Sequence, residues 1–345
     1  MARPVGATHQ LVGSVQTALD GLDLLCIADV ANGQTDGQSF VAGLRADLAD
    51  LEVTLADGIT PVPWRLPDES CFSQTSGAEK LLVLCKLPES DVIAWRGCTA
   101  PTGQDAGAGV VSTATRFYLP LDTLAFDDWT GSWDFYDPGG GASIVANGVL
   151  GNAMNCNASG GAAHDATTCT SAFTMNLWYR FDNTATFHRI MSRAVWSRMP
   201  AITYNGTRGG RWSIGTTGST WDESVYWIPP VGQWVMLTLV YAGGMVNWYT
   251  NGSLRHSMAA TYPEDAQATI FGGHTWGGYT EYPTGAVDEV LWLDDAWGAT
   301  QIAQYYSMLT APQAWTTWDG PEESLGAEPA VGVYRPWLMT GGRMR

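Results

Sequence analysis

Apolar residues in this chain come in short runs rather than long periodic stretches. Leu22-Asp23-Leu24-Leu25-Cys26-Ile27-Ala28-Asp29-Val30, residues 51–55 and residues 80–87 are each closed off by Asp-Gly, Gly or Pro, which is how strands between turns read. Further along, residues 116–121, 173–180, 234–241, 245–250, 268–272 and 287–293 repeat the pattern, spaced by Asn-Gly, Gly-Gly and Pro-Pro turns. Helical spacing is confined to residues 41–50 and to residues 299–309, where Ile302, Tyr305, Tyr306 and Leu309 fall on one face. The pattern predicts a mainly β protein, and the density of strands beyond residue 110 a two-sheet sandwich there.

The glycine-rich stretch at 99–109 reads as the connection between the two units. It divides the chain into an N-terminal unit over 1–110 and a sandwich over 111–310. From 311 to 345 periodicity is lost. Four prolines (Pro312, Pro321, Pro329, Pro336) interrupt that stretch, and Glu322, Glu323 and Glu328 precede Arg335, Arg343 and Arg345. Trp315, Trp318, Tyr334 and Trp337 give it aromatic anchors, so it is expected to be an extended C-terminal arm lying against a partner, with Arg335 pairing acidic neighbours.

Charge narrows the function classes. Lys and Arg total 17 against 34 Asp and Glu, a formal net charge of −17 over 345 residues, which opposes binding to a phosphate backbone. Nucleic acid is therefore not an expected partner. No apolar run reaches the roughly 18–20 residues that cross a bilayer, and His9 and Gln10 interrupt the N-terminal segment where a signal peptide needs a continuous apolar stretch, so neither membrane insertion nor a conventional secretion signal is expected.

One set of motifs carries a resemblance. Phe173-Thr174-Met175-Asn176-Leu177-Trp178-Tyr179-Arg180 is followed by Gly232-Gln233-Trp234-Val235-Met236-Leu237-Thr238-Leu239-Val240-Tyr241. Then come Val246-Asn247-Trp248-Tyr249-Thr250-Asn251-Gly252 and Gly285-Ala286-Val287-Asp288-Glu289-Val290-Leu291-Trp292. Upstream lie Tyr118-Leu119-Pro120-Leu121-Asp122 and Gly148-Val149-Leu150-Gly151-Asn152-Ala153. In this order they resemble the strands and turns of the laminin-G-like, concanavalin A-like jelly rolls, over residues 115–310. The resemblance implies a jelly roll in which Trp178, Trp234 and Trp248 fill the space between sheets. Residues 43–53, Asp57-Gly58 and 92–97 are similar to a small β-sandwich domain of unknown function that precedes such jelly rolls in surface and virion proteins.

Catalytic signatures are missing from the sequence. Relatives that cleave glycosides place alternate acids of one strand across a sugar bond. Here Asp288 and Glu289 are adjacent and expected on opposite faces, and no nucleophile elbow, zinc helix or P-loop occurs. The five histidines lack metal spacing, so no metal or cofactor is expected, with calcium on rim aspartates (Asp122, Asp127, Asp128, Asp222) as the one ion the resemblance allows. Cys156 and Cys169 bracket a short loop and offer either a local disulfide or two buried thiols. Aromatic residues beyond those the strands use (Trp196, Trp212, Trp276, Tyr279 and Tyr282) are the candidate ligand-binding residues, because flat rings stack on sugars or partner proteins.

These readings point to a non-enzymatic bacteriophage virion structural protein, a capsid decoration or a tail or fibre component. It would be assembled in the host cytoplasm, displayed on the virion exterior, and bound to other virion proteins and to itself. The alternative is a carbohydrate-binding, lectin-like module that recognises host or cell-surface glycans.

Overall fold

The computed structural model describes residues 3–19, 22–104, 109–137, 140–156, 161–167, 169–193, 200–217, 220–222, 225–262, 267–273 and 283–325. It is mainly β, as the short apolar runs require. The runs at 22–30, 51–55 and 80–87 become strands Asp23–Asp29, Glu52–Leu55 and Lys80–Cys85. The helix expected at 41–50 is shorter and earlier, Gln38–Ala42, because Gly43 ends it. The one at 299–309 is present as Ala299–Thr310, and it buries Ile302, Tyr305, Met308 and Leu309 along one stripe.

Strands His9–Val15, Asp91–Arg96 and Glu52–Leu55 form one layer of the first sandwich, and Asp23–Asp29, Lys80–Cys85 and Trp64–Arg65 form the other. The first layer is completed from the far end of the chain. Thr316–Trp318 pairs antiparallel with His9–Val15 in the register Gly13 to Trp318, and Glu323–Ser324 continues along the same strand at His9 and Gln10. Side chains seal the junction: Thr316 Oγ1 accepts from Cys26 N at 2.9 Å, and Trp318 Nε1 donates to Cys26 O at 2.9 Å. Trp315 and Trp318 are buried in this core. Residues 311–325 are thus part of the first sandwich rather than the extended arm that composition suggests, and the second sandwich is inserted into the first. Loss of periodicity misled here because the two added strands are only three and two residues long.

The second sandwich has an eight-stranded and a six-stranded antiparallel sheet. At the centre of the larger, Ala172–Phe181 lies between Trp234–Ala242 and Gly285–Leu293. Alternation along Ala172–Phe181 turns Phe173, Met175, Leu177, Tyr179 and Phe181 toward the smaller sheet, where Trp212 and Phe271 join them in one core with Trp248 and Trp292 of the larger sheet. The intervening residues face outward, so Trp178 does not lie between the sheets as expected. It stacks on Tyr306 of the helix, ring centroids 5.6 Å apart. Trp234 also lies outside, half-buried under Arg180 with its Nε1 donating to Asn147 O at 3.0 Å. Trp248 alone of the three fills the intersheet core.

This outward face carries Trp178, Met236, Val240, Leu291 and Leu293, and it shares one apolar core with the helix and the first sandwich. Gly151 marks a close approach between them. Its φ of +87° suits glycine, and a Cβ there would collide with Asp68 of the first sandwich.

Candidate functional site

The six-stranded sheet runs in the order Ala162–Thr167, Gln267–Phe271, Phe187–Arg193, Ile202–Asn205, Arg211–Thr217 and Thr220–Asp222. Its inner face is apolar. Because strand residues alternate, their neighbours project from the outer face in two cross-strand rows. One row joins Phe187 to Asn205, Asn205 to Arg211, and Arg211 to Tyr226 of the adjoining segment. The second joins Arg189 to Thr203 and Thr203 to Ser213; these three are buried, so the first row is the one that reaches the surface.

Arg211 ties the edge of this face together. Its Nη2 donates to the Tyr226 hydroxyl, and its guanidinium carbon stands 5.1 Å from the centre of the Tyr226 ring. Arg189 lies 5.7 Å from the Phe187 ring in the same manner. Tyr226 is 56% exposed and Ile228, two residues on, is 62% exposed, so a large ring and an aliphatic side chain stand in water beside fixed polar groups. Behind the face, burial lowers the His188 pKa to about 4. That neutral ring is held by Tyr179 Oη at 3.1 Å and Thr186 Oγ1 at 3.2 Å.

Of the ligand-binding residues expected from sequence, Trp212 is fully buried on the inner face. It stacks on Trp227 at 5.8 Å and donates through Nε1 to Trp227 O, so it is core and not contact surface. Trp196, Trp276, Tyr279 and Tyr282 lie outside the described residues, as do Tyr334, Arg335 and Trp337 of the expected arm. Phe187, Asn205, Arg211 and Tyr226 were not singled out from sequence. The signal was available in the parity of Arg211-Trp212-Ser213-Ile214, where an apolar residue at every second position leaves the arginine on the opposite face.

Asp288 and Glu289 do not point to opposite faces as alternation requires. Glu289 has a φ of +49° at a bulge between strands Gly285–Leu293 and Ala172–Phe181, and the extra residue keeps both carboxyls on the helix side. Asp288 accepts from Val149 N at 2.5 Å and from Glu289 N at 3.0 Å, while Glu289 accepts from the Tyr118 hydroxyl. Burial pushes both carboxyls well above their ordinary range; the neighbouring Glu289 raises Asp288 further, and Asp122 raises both. Asp122, beside them at the boundary with the first sandwich, is pushed up to about 8 by burial, despite accepting from Asn152 N at 2.7 Å. All of Asp288 and Glu289 is sealed from solvent, so a substrate does not reach them.

Asp128 accepts from Tyr118 N, Thr130 N and Ser132 N, which occupies both oxygens, and the Asp222 side chain is outside the described residues. Among the described residues no group of three or more His, Cys, Asp or Glu side chains is placed to hold a metal. Cys156 and Cys169 stand as two buried thiols, Cys156 packed beneath Gly272.

The Concanavalin A-like lectin/glucanases superfamily matches residues 155–303. No curated protein matches the chain. Among solved structures, the chain is similar to domain 4 of AbnA, an extracellular arabinanase from Geobacillus stearothermophilus in complex with arabinotriose. Identity is 18% over 56% of this chain and 98% of that one, with a TM-score of 0.47. It is also similar to the receptor binding domain of botulinum neurotoxin D, at 12% identity over 56% of this chain and 52% of that one, TM-score 0.44. A third is the serotype D ligand binding domain in complex with N-acetylneuraminic acid, at 12% identity over 56% and 50%, TM-score 0.43. The match spans about half the length of those toxin chains. With paired antiparallel sheets and the ordered strands of the second sandwich, residues 155–303 form a domain of the concanavalin A-like lectin/glucanase superfamily.

Proposed function

We propose that the second sandwich binds carbohydrate without cleaving it, through the outer face of its six-stranded sheet. The observation that supports this is the row Phe187, Asn205, Arg211 and Tyr226. An exposed ring offers a flat apolar surface to the C–H face of a sugar, while a guanidinium and an amide at fixed cross-strand spacing meet its hydroxyls. Sealing of Asp288 and Glu289 supports the non-catalytic half of the reading. On a glycan array the protein should bind a restricted set of glycans. Tyr226→Ala and Arg211→Ala should each weaken that binding about tenfold to a hundredfold, the loss of roughly 1.4–3 kcal/mol. Retention of wild-type array signal in both variants, or release of sugar from a bound polysaccharide, would contradict the reading.

We propose as a second reading the virion role expected from sequence, in which this face would be turned outward from a particle. Its grip on neighbouring subunits can no longer use Trp315 and Trp318, which are interior, and rests on Tyr334, Arg335 and Trp337. Mass spectrometry of purified virions that detects no such chain would remove it.

A further inference from the structure

A cavity of about 220 Å³ lies where the first sandwich, the turn at Gly151 and the end of helix Ala299–Thr310 meet. It is separate from the sheet face described above. Its polar lining comes from Asp29, Asn32, Lys80, Thr310 and Gln313. Lys80 is one of only two lysines in a chain of formal charge −17, and among the described residues its ammonium makes no ion pair. The Gln313 side chain is likewise without a hydrogen-bond partner among the described residues. Asp29, 3% exposed and directly across the strand pair from Lys80, accepts from Asn32 Nδ2 at 2.7 Å.

We propose that this cavity is a binding site for a small neutral polyol of monosaccharide size. The volume corresponds to about seven water molecules at roughly 30 Å³ each, the space a pyranose ring and its hydroxyls require. An anion would meet the Lys80 ammonium but also the buried Asp29 carboxylate and the negative end of the helix. A cation would meet the ammonium. A neutral molecule with many hydroxyls uses both kinds of group, donating to Asp29 and to the amide oxygen of Gln313, and accepting from Lys80 and the amide nitrogens. Because the walls come from both sandwiches, the bound molecule would brace one against the other.

The test uses the full chain and saturation-transfer NMR with D-glucose, D-galactose, D-mannose and N-acetyl-D-glucosamine, each taken to about 20 mM, the range of weak monosaccharide binding. At least one is expected to saturate. Lys80→Met should weaken that binding tenfold or more, Gln313→Ala, which removes a neutral group, should weaken it by a smaller factor, and a saturable component sensitive to Lys80→Met should remain in Tyr226→Ala. A water-filled cavity only, seen as no saturable binding by any of the four, overturns the proposal. So does binding that survives both Lys80→Met and Gln313→Ala, or binding abolished by Tyr226→Ala, which would assign the signal to the sheet face. The two sites therefore fail independently.

Discussion

A chain ending at Thr310 is expected to unfold its first sandwich instead of leaving two intact domains. The cut removes strand Thr316–Trp318 from the edge of His9–Val15, and it takes Trp315 and Trp318 out of a core they share with Leu24, Leu25 and Phe40. Emptying a buried tryptophan site costs about 3–5 kcal/mol, so the loss of two is comparable to the roughly 5–15 kcal/mol that holds a whole domain folded. Met308 and Leu309 on the helix lose their cover with them, which carries the damage to the second sandwich. In the intact chain, Trp318→Ala also strips the donor from Cys26 O, and its urea unfolding free energy should fall by about 3–5 kcal/mol. Cooperative unfolding of the truncated chain at the wild-type midpoint would refute this view of residues 311–325.

Raising the pH from about 7 to about 9 is expected to destabilise the protein. Asp122 carries a proton in the folded state up to about pH 8 but ionises near its ordinary 3.8 when unfolded. Its contribution is complete below that lower value and is lost as pH rises through about 8. Over the two-unit window the linkage for Asp122 alone is about 1.4 kcal/mol. Asp288 and Glu289, raised well above their ordinary range, steepen the slope further. His188, with a lowered pKa of about 4, gives the opposite slope only below its ordinary 6.5, and so is silent in this window. Asp122→Asn keeps an oxygen for Asn152 N and removes the ionisation, so its urea midpoint should exceed wild type at the alkaline end and vary less with pH. A wild-type midpoint that stays level or rises between those pH values would be incompatible with protonated carboxyls at the domain boundary.

Much of the architecture was legible because strand periodicity is local. The runs that became Lys80–Cys85, Ala172–Phe181 and Trp234–Ala242 announce themselves through apolar residues and flanking turns. What escaped depends on contacts between distant positions. Which face of Ala172–Phe181 meets the smaller sheet cannot be told from a strand buried on both sides, and this is why Trp178 was assigned to the wrong layer. The bulge that puts Asp288 and Glu289 side by side inserts one residue that no local pattern marks. Thr316–Trp318 is too short to read as a strand until His9–Val15 is beside it. For the outer sheet face, aromatic residues in apparent loops point to Trp212, whereas exposure of Tyr226 is set by where its segment crosses Arg211.

The pairing of Gly13 with Trp318 also dictates an order of events during synthesis. A ribosome releases the opening strands of the first sandwich about three hundred residues before the segment that closes them, so Leu11, Cys26 and Phe40 wait with one flank uncovered. The inserted domain has all its own strands by then and folds first, holding the helix that positions Trp315. Maturation therefore runs from the inserted domain outward, and strand His9–Val15 is locked in place only once Thr316–Trp318 has been made.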